Sequence, residues 1–424
     1  MKIAIVSDSL PGYHWTWSGA EIIALTLADM LKGSGCEIFF ITPPLDRPSP
    51  DGGYEVCPVR TPLRRLGALS RNFPVDLQAI MDIRKVLKKK KPDIVHINAK
   101  YLFLPALIVC SRLGIRAVFT VPDYFIFCPT TFIRRPDGSG CASYHGKDCC
   151  KCLSVLGNGF LKKIIGSMPG VFMRSLLALR AKEFDYFLKK LSAYVVLSES
   201  SRKRLVDYGI PEEKIKLIYH YRLAALRDTE EAITNPSAVF AGWLSEENGI
   251  DVLVKAFIQV QKAVPDAKLY LVGTGKHDFV GRLKKETAKA GITDSVVFLG
   301  KKENREALSV ISKCDVTVVP HQWPKEFGPV ILIEALALGR PVIASRTGAA
   351  DEFMADGENG FLIEDYRNPG AFAEKLERLL SDTGLAREMG GRVNGNIAFV
   401  KDDSSSKRIM DLYRTVMAED ARVG

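Results

Sequence analysis

Two glutamates eight positions apart, Glu326 and Glu334, bracket a Gly328-Pro329 pair within HQWPKEFGPVILIEALALGRPVIAS. Proline is favoured at the first helical position, so Gly328-Pro329 reads as a helix start, and Gly339-Arg340-Pro341 reads as its stop before another strand. The preceding run, Val316 to Pro320, has the β-branched character of a strand. Glu326 is therefore expected in the loop at a strand's carboxyl end and Glu334 on the second turn of the following helix. The unpaired N–H groups and the dipole at that helix start, around Gly328, Pro329 and Val330, suit phosphate oxygens. A carboxylate on either side of a phosphate makes chemical sense if both accept hydrogen bonds from hydroxyls, one set on a sugar and the other on a ribose.

Such a site needs a frame. Residues 2–8, 36–42, 93–98, 116–122 and 193–198 read as strands, with helical stretches near 19–32, 75–90 and 199–208. A second series starts at Ala238 and continues at 267–273, 296–300, 315–320, 341–345 and 361–364. Strands alternating with helices predict parallel, doubly wound Rossmann-like sheets in an α/β protein, whose ligands bind at the carboxyl ends of the strands. The expected domains are 1–220 and 237–400, joined through the polar stretch from Asp228 to Pro236, with a C-terminal helix in 401–424. Two sheets of this kind are expected to face one another across a cleft that holds the site.

On these residues the chain resembles the retaining glycosyltransferases of family 4, which have the GT-B fold and a Glu-x7-Glu motif. The resemblance extends to Ser18-Gly19-Ala20-Glu21 after the first strand, Gly273-Thr274-Gly275, Phe298-Leu299-Gly300, Thr347-Gly348 to Glu352, and Asp356-Gly357-Glu358-Asn359-Gly360. It implies a nucleotide-sugar donor, with Glu326 toward the sugar hydroxyls, Glu334 toward the ribose and Gly19 near the diphosphate. It also implies an acceptor on the N-terminal side, here expected to be lipid-linked or a polysaccharide of the cell envelope.

Transfer leaves negative charge on the departing diphosphate. No Asp-x-Asp occurs in the sequence, so the chemistry is expected to need no metal. The family's cations follow the glycine that ends the first strand of the second domain and precede another glycine shortly afterwards. Here Gly242 is followed by Trp243, and Gly249 is preceded by Asn248. In the first domain, Pro122-Asp123-Tyr124 stands where the family often has His-Asp-Tyr, which leaves Asp123 as a catalytic candidate without the histidine. Two readings stay open. Cations from new positions, Lys325 first, with Arg222, Lys276 and Lys301 also in view, replace the missing pair; alternatively, the chain binds sugar nucleotides or glycans as a non-catalytic partner protein.

Five of nine cysteines fall within 124–155, and Cys128, Cys141, Cys149 and Cys152 have the residue types of a structural zinc site, with His145 as an alternative ligand. A reduced thiol cluster is the competing reading. The formal charge of +10 is concentrated in the first half, where Lys162, Lys163, Arg174, Arg180, Lys182, Lys189 and Lys190 interleave with Phe160, Leu161, Phe172, Leu176 and Phe187. That mixture suits an anionic membrane surface, and no nucleic-acid module is recognisable. The start of the chain carries no leader pattern, and its best apolar run, Leu102 to Cys110, is broken by Pro105. The expectation is a cytoplasmic protein, peripheral at most on the inner face of the membrane.

Overall fold

The computed structural model describes residues 1–15, 18–50, 52–66, 76–131, 133, 135, 139, 141, 149–156, 170–219, 221, 223, 233–323, 330–392, 397, 400 and 404–418. The chain divides into two compact units, Met1–Tyr221 with Asp403–Gly424, and Arg222–Asp402.

In the first unit, β1 (Lys2–Ser7), β2 (Glu37–Thr42), β3 (Glu55–Pro58), β4 (Ile94–Asn98), β5 (Arg116–Thr120), β6 (Ala193–Val196) and β7 (Ile215–Leu217) form a parallel sheet in the order β3-β2-β1-β4-β5-β6-β7. The helices α1 (Gly19–Gly33), α2 (Leu77–Lys90), α3 (Phe103–Leu113), α4 (Cys149–Leu156), α5 (Gly170–Leu188) and α6 (Glu199–Tyr208) belong to the same unit. Both faces of such a sheet must be covered, and its inner strands are accordingly apolar throughout: Ile3, Ile5, Ile94 and Val118 are fully buried. The edge strands β3 and β7 are absent from the sequence expectation because four and three residues with mixed burial carry little pattern.

The apolar run weighed as a membrane segment is α3. Its Pro105 lies in the first turn, where a missing N–H costs no helical hydrogen bond. Asp8, just beyond β1, caps this helix start by accepting from the N–H groups of Lys100 (2.6 Å), Tyr101 (3.0 Å) and Leu102 (3.1 Å). No helix among the described residues is long and apolar enough to cross a membrane.

In the second unit, β8 (Ser237–Ala241), β9 (Lys268–Val272), β10 (Val296–Gly300), β11 (Val316–Val319), β12 (Val342–Ser345) and β13 (Gly360–Ile363) are parallel in the order β10-β9-β8-β11-β12-β13. They alternate with α7 (Ile250–Ala263), α8 (His277–Lys289), α9 (Asn304–Lys313), α10 (Val330–Ala337), α11 (Ala350–Phe353), α12 (Pro369–Ser381) and α13 (Thr383–Gly391). Leu253, Phe257, Leu269, Leu271, Phe372 and Leu376 lie in one core. The doubly wound parallel sheets expected from the alternation are thus present in both units.

The last helix, α14 (Ser404–Ala418), follows the second unit in sequence but packs in the first. Its Tyr413 is wholly buried, with the hydroxyl 2.6 Å from Nδ1 of His96, whose Nε2 lies 2.7 Å from Oγ1 of Thr120. Ile409, Leu412, Tyr413 and Val416 join the core containing Ile3, Leu27 and Phe40.

Candidate functional site

Each sheet reverses its winding once, and a crevice opens at the carboxyl ends of the strands at such a reversal. In the second unit the reversal lies between β8 and β11, which pair through Val316 and Ala238. The loops leaving these two strands are stitched together. The N–H of Gln322 donates to the Glu247 carbonyl at 2.9 Å, and the Gln322 side-chain amide donates to the carbonyls of Pro320 (2.9 Å) and Tyr366 (2.8 Å). Gly249, at a φ of +73°, lets the start of α7 lie against the Pro320 carbonyl: a β-carbon there would stand 1.8 Å from that oxygen.

The two neutral positions noted in the sequence build this loop together. Asn248 is only 7% exposed, and its side-chain amide donates to the Trp243 carbonyl at 2.6 Å. Trp243 is 53% exposed at the end of β8. Gly242 and Gly273 serve the backbone directly: the Gly242 N–H donates to Val272 at 2.9 Å, and a β-carbon on Gly273 would meet the Gly242 carbonyl at 1.8 Å. Only glycine permits that approach with φ at +134°.

Glu334 stands on the second turn of α10, as its spacing from Gly328-Pro329 requires, and it is 6% exposed. Its Oε1 accepts from Nδ2 of Asn304, the first residue of α9, at 3.0 Å. Val330 begins α10 as described. Lys325, Glu326, Gly328 and Pro329 lie outside the described residues, as does Arg222. Lys276 and Lys301 are exposed beyond β9 and β10.

In the first unit the reversal lies between β1 and β4. Gly19 opens α1, and the side-chain amide of Asn98, the last residue of β4, holds the neighbouring Ala20 carbonyl at 2.7 Å. Glu21 accepts from both the N–H and the hydroxyl of Ser18 at 2.7 Å. Burial pushes the Glu21 carboxyl up; the Ser18 hydrogen bonds oppose this, and the Asp8 charge adds to it. Asp123 is an ion-pair partner of Lys100 and accepts from the Phe125 N–H at 2.9 Å. The sequence reading named Asp123 but missed Lys100, Asp8 and Asn304. Lys100 sits two residues past β4, a position the strand-end rule alone would have flagged.

Among the described residues, no three His, Cys, Asp or Glu side chains gather as metal ligands. The Cys128 sulfur lies 3.3 Å from the Thr130 hydroxyl and accepts from the Ile133 N–H, while Cys149 and Cys152 are buried within α4. His145 and the side chain of Cys150 lie outside the described residues. One expectation needs correction: Arg180 is 3% exposed, donates to the Phe125 carbonyl and lies 4.2 Å over the Phe184 ring. It fastens α5 to an aromatic cluster of Phe103, Phe119, Phe125 and Phe184 and does not face a lipid surface. Lys162, Lys163, Phe160, Leu161 and the Phe172 side chain are outside the described residues, whereas Arg174, Lys182, Lys189 and Lys190 are exposed on α5 or just past it.

Two family models match in succession: Glycosyltransferase Family 4 over residues 17–220 and Glycosyl transferases group 1 over residues 225–393. An uncharacterised glycosyltransferase of Methanocaldococcus jannaschii is 25% identical over 279 residues, 60% of this chain and 67% of that protein. A D-inositol 3-phosphate glycosyltransferase of Corynebacterium diphtheriae is 32% identical over 155 residues, 36% of each chain. Among solved structures, HepE of Anabaena in complex with UDP-glucose superposes with a TM-score of 0.65 at 18% identity, covering 100% of both chains. The two successive family matches, together with the two doubly wound parallel sheets, place this chain among the family 4, group 1 type glycosyltransferases of the GT-B fold.

Proposed function

We propose that the chain moves a sugar, with retention of configuration, from a nucleotide-sugar donor held by the second unit to a lipid-linked or polysaccharide acceptor. The observation that carries this reading is Glu334, a nearly buried carboxylate on the second turn of α10, held by an amide, at the motif position that the family resemblance assigns to the ribose. HepE, solved with UDP-glucose, supports a uridine diphosphate sugar as the first donor to try.

Within this reading Glu334 accepts from the ribose hydroxyls and Glu326 from the sugar. The start of α10, at Val330, offers N–H groups and a positive dipole end to the diphosphate, with Gly328 and Pro329 just before it in sequence, and this would disperse leaving-group charge without a metal. Lys325 is the nearest cation in sequence to that helix start. Trp243 and Asn248 add no charge; Gly242 and Gly273 let the backbone of the neighbouring strand ends close up. In the first unit Gly19 lies at the acceptor side, and the Lys100–Asp123 pair supplies both a donor and an acceptor for hydroxyl groups at the end of β5.

The acceptor reading rests on α5. Val171, Leu179 and Tyr186 are exposed on it beside Arg174 and Lys182, with Lys190 just beyond its end. Apolar side chains among cations suit an anionic membrane surface, and this favours a protein peripheral on the cytoplasmic face.

Calorimetry with UDP, GDP and ADP tests the donor site: one should bind, and Glu334→Ala should weaken it. Unchanged affinity removes Glu334 from the ribose role. Release of sugar from the matching donor, abolished by Asp123→Asn, supports transfer; nucleotide binding with no turnover on any donor favours the non-catalytic binder, to which the neutral Trp243 and Asn248 also point.

A further inference from the structure

We propose that Asn304 is a positioning residue for the donor nucleotide: by holding Glu334, it makes the site demand a ribose rather than a deoxyribose. The inference rests on the donor-site reading of Glu334 and adds a residue that the motif does not contain.

The start of α9 shows why Asn304 is available for this task. Its helix is capped by its neighbours: the Glu303 N–H donates to Glu306 at 3.0 Å in a reciprocal capping box. The side chain of Asn304 is therefore not needed at the cap. Its Nδ2 reaches across to α10 and gives a hydrogen to Oε1 of Glu334 at 3.0 Å. The two side chains come from helices that follow different strands, β10 and β11, so no local turn enforces the contact.

The consequence follows from carboxylate geometry. A glutamate has a freely turning terminal torsion, and a two-point contact with a vicinal diol needs the carboxylate plane fixed. A bond from an amide helps to fix it. An ionised carboxylate has about four lone-pair sites, so the bond to Asn304 does not by itself exhaust the acceptor capacity that a diol would use. A ribose offers two adjacent hydroxyls to such a group, whereas a 2′-deoxyribose offers one.

Calorimetry on the full chain, with UDP and 2′-deoxy-UDP and the corresponding GDP and ADP pairs, reads the discrimination directly. The native chain should prefer the ribonucleotide, and Asn304→Ala should reduce that preference about tenfold, the size of one hydrogen bond to a charged group, with little change for the deoxy form. Asn304→Asp separates positioning from structure. An aspartate in the first turn of a helix suits the dipole, so a purely structural asparagine would tolerate it. Set against Glu334, it offers a second carboxylate where a donor is required, and the preference for the ribonucleotide over its deoxy form should fall further than in Asn304→Ala.

If Glu334→Gln changes the ribose preference and neither Asn304 variant does, the role of Asn304 is overturned and the donor site stands. If Glu334→Gln leaves the preference unchanged, the ribose role of Glu334 falls, and with it the inference. A native chain that binds no nucleoside diphosphate overturns both.

Discussion

Replacing Gly249 with alanine should damage the second unit twice, and the two parts can be measured separately. Gly249 has φ at +73°, a left-handed conformation that costs an L-residue roughly 1–2 kcal/mol. The new β-carbon would also stand 1.8 Å from the Pro320 carbonyl oxygen, about 1.2 Å inside the closest approach that real β-carbons make. A backbone carbonyl cannot swing away as a long side chain can. Either α7 or the segment leaving β11 must move, at an overpacking cost of about 1–3 kcal/mol. The total expected loss is about 2–5 kcal/mol. Pro320 leads into the stretch holding Lys325 and Glu326, and a displacement near 1 Å in reacting geometry costs on the order of 10² in rate. Gly291 supplies the control, because it has the same φ of +73° with open space around its missing side chain. Urea unfolding of Gly249→Ala and Gly291→Ala, with donor turnover for both, gives the answer. Gly291→Ala should lose only the conformational part and keep its activity. If Gly249→Ala is as stable and as active as Gly291→Ala, the close approach of α7 to Pro320 does not shape the site, and the reasoning fails.

Two further outcomes are expected in the first unit. The Arg60 guanidinium holds the Asp82 carboxyl at about 2, well below its ordinary value near 4, with Gln78 and the Arg60 N–H adding hydrogen bonds. A lowered folded-state pKa gives stability that is present above about pH 4 and lost as the pH falls toward 2, so the urea-midpoint gap between the native chain and Asp82→Asn should close across that window; a gap constant with pH would contradict the pairing. Tyr413→Phe removes the hydroxyl facing buried His96 and should cost about 1–3 kcal/mol, measured by urea unfolding, with Thr120→Val a comparable loss at the other ring nitrogen.

Periodicity made the frame legible because parallel strands buried on both faces must be apolar along their length. Thus Ile94–Asn98 and Val316–Val319 read as strands without help from any partner. The edge strands β3 and β7 did not, since an edge strand is half solvated and loses that signature. The position of Glu334 was legible for a different reason: Pro329 and Gly339 punctuate the sequence around its helix, and helix phase then places Glu334 on the second turn. Lys100, Asp8 and Asn304 were not, because each acts through a contact between elements distant in sequence. Asp8 and Lys100 are 92 residues apart, and Asn304 and Glu334 are 30 apart. No local pattern carries such a pairing.

The neutral pair at 243 and 248 also means something different once its geometry is known. From the sequence it is a loss, two cations missing from a site that must meet diphosphate charge. In the fold the positions are coupled, because the Asn248 amide is committed to the Trp243 carbonyl and is almost wholly buried while doing so. A lysine at 248 would have to bury an ammonium ion or abandon that hydrogen bond and open the turn. Burying an unpaired charge costs several kcal/mol, so opening is the cheaper course, and it would release the backbone that displays Trp243. The two residues therefore form one alternative construction of the loop rather than two independent defects. An exposed indole at the reversal of the sheet offers a flat apolar face, and under the proposed donor reading the diphosphate charge would be met by groups outside this loop.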